Sequence, residues 1–294
     1  MGSGSYTTSS FVNYSNSMGR TVNTRGIVTA DSLQDYYKQS RIHEDLKPFK
    51  IVRECCDSEE HPNTIPIILA LDVTGSMGSA CVKTAKALNT IMTSLYDKFE
   101  DVEFCIMGIG DLAYDDAPIQ MSQYESDVRI AEHLDKVYME HGGGGNGFES
   151  YTAAWYMGLR HTKLDCWKRG KKGIIITMGD EPLNPYLPKR YLENVTGDSL
   201  EGDVETTYLY KEAIEKFDIY HIAVDDTASS YFYYNTKIEN SFRPYLGNRL
   251  KVATIEQLPA TIVECINDSI NGNNNNDSIP VKTQEETTKN YITW

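Results

Sequence analysis

An α/β fold built around buried parallel strands is the architecture this sequence predicts, and three features carry that expectation. The run Ile65-Pro66-Ile67-Ile68-Leu69-Ala70-Leu71 is short and unbroken in its apolar character, which suits a strand covered on both faces. It ends in a polar, glycine-containing turn, Asp72-Val73-Thr74-Gly75-Ser76-Met77, after which apolar residues recur at Cys81, Ala85, Leu88, Met92 and Leu95 with helical spacing. Segments of strand length and helix length then alternate through the middle of the chain, the pattern of an α/β sheet. At 294 residues, one domain of about 200 residues with an extension at each end is the natural division.

Residues 1–60 form the N-terminal extension in this reading. Its first part is dominated by Ser, Thr, Asn, Gly and Tyr with little aliphatic periodicity, so partial disorder is expected there. The segment 30–49 carries Leu33, Tyr36, Tyr37 and Ile42 and is expected to pack on the domain as a short helix. The domain itself spans 61–270. Strands are predicted at 65–71, 102–109, 117–121, 173–178, 218–224 and 249–254, and helices at 79–97, 126–139, 149–164, 204–217 and 257–268. The last helix repeats Leu258, Ile262, Val263 and Ile266 at helical spacing, with Pro259 tolerated because it falls in the first turn. Beyond it, 271–294 is an asparagine-rich run followed by a polar tail, expected to stay disordered until a partner orders it.

The turn after the first apolar strand concentrates oxygen donors. Asp72 supplies a carboxylate, and Thr74 and Ser76 supply hydroxyls, at the carboxyl end of a strand where open α/β sheets bind their ligands. An all-oxygen group of this kind suits a hard cation such as Mg²⁺, which takes few protein ligands and keeps several waters. Asp72-x-Thr74-x-Ser76 resembles the Asp-x-Ser/Thr-x-Ser signature of the von Willebrand factor A (VWA) domain family, at its metal-ion-dependent adhesion site. Two further pieces stand in family order. One is the loop Gly142-Gly143-Gly144-Gly145-Asn146-Gly147-Phe148-Glu149-Ser150; the other is the strand Gly173-Ile174-Ile175-Ile176-Thr177-Met178, closed by Gly179-Asp180-Glu181-Pro182. The likeness extends over residues 62–268.

The resemblance implies a Rossmann-like fold: a mostly parallel central sheet, the Asp72 strand at its centre, one antiparallel edge strand at 117–121 and helices on both faces. It implies Mg²⁺, or Mn²⁺, held by Thr74 and Ser76, with Asp72 and Asp180 contributing directly or through waters. The second loop departs from the commoner pattern, in which a threonine serves. Phe148-Glu149-Ser150-Tyr151 stands there, similar to prokaryotic and kinase-associated members that carry an acidic residue. Glu149 is the expected ligand from this loop, and Ser150 is the alternative. A glutamate adds charge, which tightens the cation and weakens its pull on an acidic group from outside. Gly145, Asn146, Gly147 and Glu181 are the positions expected to face a partner. The implied function is a non-enzymatic, divalent-metal-dependent protein–protein interaction, in which the partner offers an acidic side chain to the metal. An AAA-type ATPase is the implied class of neighbour, and the cytoplasm the expected compartment.

Other features define what the chain is not expected to do. A formal net charge of -14 argues against general binding to nucleic acid. The one basic cluster, Lys168-Arg169-Gly170-Lys171-Lys172, reads as a solvated turn. No stretch reaches the ~18 apolar residues of a membrane span. The first residues hold no apolar signal region, and Tyr6 breaks the myristoylation pattern. The six cysteines lack paired metal-type spacing and read as reduced, mostly buried thiols, Cys55-Cys56 being the one place to consider redox chemistry. His141, His161 and His221 lack zinc spacing. Gly108-Ile109-Gly110-Asp111, with Asp115 and Asp116, reads as a solvated loop; Asp225-Asp226 adds negative field, and Tyr231-Phe232-Tyr233-Tyr234 reads as packing.

Three alternatives compete with the metal reading. Asp72 and its hydroxyl neighbours would, as the blandest case, only cap the following helix. A structural scaffold with a VWA-like core that has lost its metal is the second. The third is a phosphotransferase of the haloacid-dehalogenase type with Asp72 as nucleophile. Against that one, Thr74 stands where the second acid belongs, a long helix begins at once after Ser76, and the glycine loop has no role.

Overall fold

The computed structural model describes residues 4–23, 26–29, 36–140, 147–225 and 232–272. Helix α1 (Thr8–Ser17) and the short strand β1 (Arg53–Cys55) precede the central strand β2 (Ile65–Asp72). Helix α2 (Gly78–Tyr96) leads to β3 (Val102–Ile109) and β4 (Ile119–Met121). Helices α3 (Arg129–Asp135) and α4 (Thr152–Arg160) are followed by β5 (Thr162–Leu164) and β6 (Gly173–Gly179). Next come β7 (Tyr186–Leu187), α5 (Lys189–Thr196), β8 (Val204–Glu205), α6 (Thr206–Lys216) and β9 (Phe217–Val224). Helix α7 (Phe232–Leu246), β10 (Leu250–Ala253) and α8 (Leu258–Ile270) complete the described chain.

The main sheet has six strands in the order β10-β9-β6-β2-β3-β4. All its pairings are parallel except β3 with β4, the antiparallel edge. The continuous apolar character of β2 has a direct cause. Ile67, Leu69 and Leu71 enter a core shared with α2 and α8, while Ile68 and Ala70 enter a second core with Trp155 of α4 and Phe242 of α7. Both sides of the strand are therefore dry, and its one polar residue is Asp72 at the carboxyl end. Strand order reverses at β2, because the chain moves one way to β3 and the other way to β6. The carboxyl ends of β2 and β6 thus sit side by side at the crevice where such sheets bind ligands.

Several elements differ from the expected ones. The helix expected over 149–164 stops at Arg160, because His161 is clamped between the Ile51 carbonyl (2.8 Å) and Asp198 (2.8 Å). Residues 162–164 then pair in parallel with Arg53–Cys55, which ties part of the N-terminal extension into the domain. The segment around helix α1 packs on the other core, with Tyr6 and Phe11 against α2 and a buried ion pair between Arg20 and Asp135 at 2.6 Å. The segment expected as a helix at 30–49 lies partly outside the described residues; its later part holds a 3-10 turn at Glu44–Leu46. Helix α7 carries Ile238, Phe242 and Leu246 into the core at helical spacing, a pattern interrupted to the eye by Pro244. Tyr231 and most of the expected tail, from 273 onward, lie outside the described residues.

Candidate metal centre

Asp72 is the last residue of β2 and is fully buried. Its Oδ1 accepts the Thr74 backbone N–H at 2.9 Å and the Thr74 hydroxyl at 2.6 Å. That is an Asx-type turn, in which a short carboxylate bonds two residues ahead and shapes the backbone itself. Neither the 3-10 turn Gly75–Met77 nor α2 has a side-chain cap, so the motif's oxygens are not spent on closing a helix end. Ser76 is exposed, and its hydroxyl donates to Asp180 Oδ1 at 3.1 Å, joining the turn after β2 to the turn after β6.

The second loop arrives from the other side. Gly145 and Asn146 lie outside the described residues; Gly147 is exposed with φ +76, a conformation that only a residue without Cβ adopts readily. Glu149 and Ser150 are both buried but differently employed. The Ser150 hydroxyl accepts the Leu112 N–H at 3.1 Å and serves the loop after β3. Glu149 Oε2, on a residue only 4% exposed, has no hydrogen-bond partner. Next in the chain, Tyr151 sends its hydroxyl to Asp72 Oδ2 at 2.6 Å and accepts the Glu181 N–H at 3.3 Å. Gly179 makes room for that phenol: a Cβ there would stand 1.9 Å from the tyrosine oxygen.

The site is acidic beyond what hydrogen bonds offset. Burial and then the charge of Asp180 raise the Asp72 carboxyl above its ordinary range, against the lowering effect of Thr74 and Tyr151. Burial, then Asp72, Asp115, Asp111 and Glu181, push Glu149 up further. Asp180 and Glu181 are also raised, burial first in each case. Glu181 Oε2 and Asp111 Oδ2 are, like Glu149 Oε2, buried without a partner. Orphaned buried oxygens are uncommon in proteins. Together with carboxylates that repel one another, they fit a hard divalent cation, whose charge would compensate them. Among the described residues no group of three or more His, Cys, Asp and Glu side chains forms a metal cage. The candidate centre instead mixes carboxylates with the Thr74 and Ser76 hydroxyls.

Neighbouring features correct or complete the sequence reading. The loop 108–116, expected to be solvated, has Asp111 buried; its Oδ1 accepts the Ala113 N–H at 2.7 Å, while Asp115 Oδ2 accepts the Asp111 N–H at 2.6 Å. This loop closes over the second core and needs its own backbone donors satisfied, which turns its carboxylates inward. Asp225 is half-buried at the end of β9, and Asp226 lies outside the described residues. The basic cluster 168–172 lies at the opposite end of the strands, beside a cavity of about 500 Å³ lined by Thr64, Arg169, Lys172 and Asp218. Arg169 bonds Asp57 and the Thr64 carbonyl, and Lys172 bonds the Ile214 carbonyl, so these cations serve the fold. All six cysteines are free thiols; Cys55 is buried and Cys56 partly so, and burial raises both. No described helix is long and apolar enough to cross a membrane. His141 lies outside the described residues.

Behind Tyr151 sits His221, fully buried, stacked on Phe242 at 3.8 Å and hydrogen-bonded through Nδ1 to the Thr177 hydroxyl at 2.8 Å. Burial lowers its imidazole from 6.5 to about 3. A base depressed on folding contributes stability that is fully present above its ordinary value and is lost as the pH falls toward the folded one. Between about pH 7 and pH 5, the wild type should therefore lose up to about 1.4 kcal/mol per pH unit more than His221→Gln. Urea denaturation of both proteins across that range checks it; parallel profiles would refute it.

Tyr151 is the residue that sequence reading passed over. It was visible as the neighbour of Glu149, but nothing in its spacing marks a tyrosine as a clasp rather than a core residue. No protein-family model matches the chain, and no curated protein matches it. Among solved structures, the pilus adhesin SpaC from Lactobacillus rhamnosus GG, in an open conformation, is similar with TM-score 0.46 and 12% identity, over 72% of this chain and 31% of the adhesin. A second structure of that adhesin gives 0.45 and 13%, over 72% and 32%. Proximal thread matrix protein 1 from the mussel byssus gives 0.41 and 13%, over 69% of this chain and 44% of that protein. The chain thus spans about a third of the length of the adhesin.

Proposed function

We propose that this chain is a VWA-like interaction module whose metal-ion-dependent adhesion site binds Mg²⁺, or Mn²⁺, and through it another protein. The observation that carries the reading is the meeting of three loops at one sheet edge. Asp72, Thr74 and Ser76 come from the first loop, Glu149 from the second and Asp180 from the third, and Glu149 Oε2 is left buried and unpartnered. Thr74, Ser76 and Glu149 would hold the ion, with Asp72 and Asp180 supporting them. The bound ion supplies an electrophilic centre that accepts an oxygen, in this reading an acidic side chain of the partner. Gly147, exposed, and Glu181, half-buried, would face that partner. The module is placed in the cytoplasm, in keeping with its free thiols, and beside an AAA-type ATPase as the class of neighbour, by analogy with similar domains.

The competing phosphotransferase reading needs an Asp72 oxygen open to phosphorus. Both oxygens are hydrogen-bonded and the residue is fully buried, which favours the binding role. Titration calorimetry with Mg²⁺ tests the proposal. The wild type is expected to show saturable one-site binding. Glu149→Gln should weaken it by about 10-fold or more, and Ser150→Ala should leave it within about twofold. Absence of saturable binding to the wild type would overturn the metal reading and favour the scaffold.

A further inference from the structure

Tyr151 is buried at the start of α4, and a single atom of it touches two of the three loops while its backbone belongs to the other. Its hydroxyl donates to Asp72 Oδ2 at 2.6 Å, at the end of β2, and accepts the Glu181 N–H at 3.3 Å, after β6. Its own peptide follows Glu149-Ser150 directly. The ring cannot drift. It lies 5.0 Å from the His221 ring and 5.8 Å from Phe242, and the opposite strand offers only Gly179 beneath the hydroxyl. Asp72 is pinned in turn, because Oδ1 holds Thr74 and Oδ2 holds the phenol, so rotation of the carboxylate breaks one set of bonds.

We propose that Tyr151 is the positioning residue of the metal centre: its hydroxyl fixes the separation of the three ligand-bearing loops and so sets the size of ion they accept. This rests on the metal reading above. The physical basis is the contrast between ions. Mg²⁺ requires nearly ideal octahedral geometry at about 2.0–2.1 Å, whereas Ca²⁺ takes 6–8 oxygens at about 2.3–2.6 Å in flexible arrangements. A frame locked by one short hydrogen bond favours the smaller ion. A frame released at that point admits the larger.

Tyr151→Phe removes one oxygen and keeps the ring packed. Two measurements are made on wild type and variant: calorimetric titration with Mg²⁺ and with Ca²⁺, and backbone amide exchange by NMR in the absence of metal. The expected result is a fall in Mg²⁺ affinity of about 10- to 100-fold, with a smaller loss for Ca²⁺, so that the Mg²⁺ to Ca²⁺ ratio shifts toward calcium. In the metal-free protein the Glu181 amide should exchange faster. The Ile106 amide, bonded to Ser122 Oγ at 2.8 Å in the sheet, should not change and serves as the control for folding. If the wild type binds Mg²⁺ and the variant binds both ions with wild-type affinity and ratio, Tyr151 is not the positioning residue. Unchanged exchange at Glu181 would also overturn the clasp, whatever the metal data. A wild type that binds neither ion sinks the metal reading itself, a result distinct from either.

Discussion

Gly179→Ala should lower the stability of the metal-free protein by about 3 kcal/mol, near the upper end for overpacking a well-filled core. The added methyl would lie 1.9 Å from the Tyr151 oxygen and 2.5 Å from the carbon that bears it. Side chains at the far end of a flexible arm move aside cheaply, but this ring has no such freedom. It is buried and wedged against His221 and Phe242, and its hydroxyl is held by Asp72 and Glu181. Relief requires either a shift of β6, which is paired on both sides, or the loss of the clasp. Urea denaturation measures the first effect, and Mg²⁺ titration should show that binding weakens along with it. Tyr151→Ala opens the space, so the double variant should recover most of the cost of Gly179→Ala itself, giving a coupling of about 1–3 kcal/mol. Strictly additive effects would show that the close approach does not decide the residue at 179.

Asp72→Ala should abolish saturable Mg²⁺ binding, reducing affinity by more than about 100-fold, while the metal-free fold survives. Two opposing effects act on the metal-free fold, which is expected to be weakened but still to form. Losing the carboxylate strands the Tyr151 hydroxyl and the Thr74 N–H and hydroxyl, at about 1–3 kcal/mol for each donor left unsatisfied. Against that, the variant no longer buries an acid beside Asp180, a burden reflected in the raised carboxyl. The difference between proteins is therefore expected in the response to metal. With free Mg²⁺ at 100 times the dissociation constant, the wild type should gain about 2.7 kcal/mol in urea denaturation, and the variant none. An equal gain in both would remove Asp72 from the site.

How far the site could be read in advance differs from residue to residue. Asp72, Thr74 and Ser76 are legible because they alternate over five positions where a strand gives way to a helix, both with clear periodicity. Asp180 is legible because it directly follows an apolar strand. Between Glu149, the ligand expected from its loop, and Ser150, the alternative, order in the chain makes no further distinction. The structure adds that the Ser150 hydroxyl is engaged by the Leu112 N–H while Glu149 Oε2 has no partner, which supports the proposal of Glu149. Nor could the inward turn of Asp111 be foreseen, since it depends on backbone donors in its own loop. The parallel pairing of β1 with β5, more than a hundred residues away, likewise has no local signal in the sequence.

The six strands of the main sheet, the five helices α2, α3, α4, α6 and α8, and the turn that holds the oxygen donors were determined by the sequence alone, because periodicity and short-range turn chemistry act between near neighbours. The tertiary structure decided which carboxylates share one desolvated space, which hydroxyls are already committed, and that Tyr151 bridges Asp72 to Glu181. Those are contacts between segments 30 to 108 positions apart, as Tyr151 with Glu181 and Asp72 with Asp180 illustrate. No local preference of a tyrosine or a glycine records them; only the packing of β2 against β6 brings the two loops within reach of one phenol.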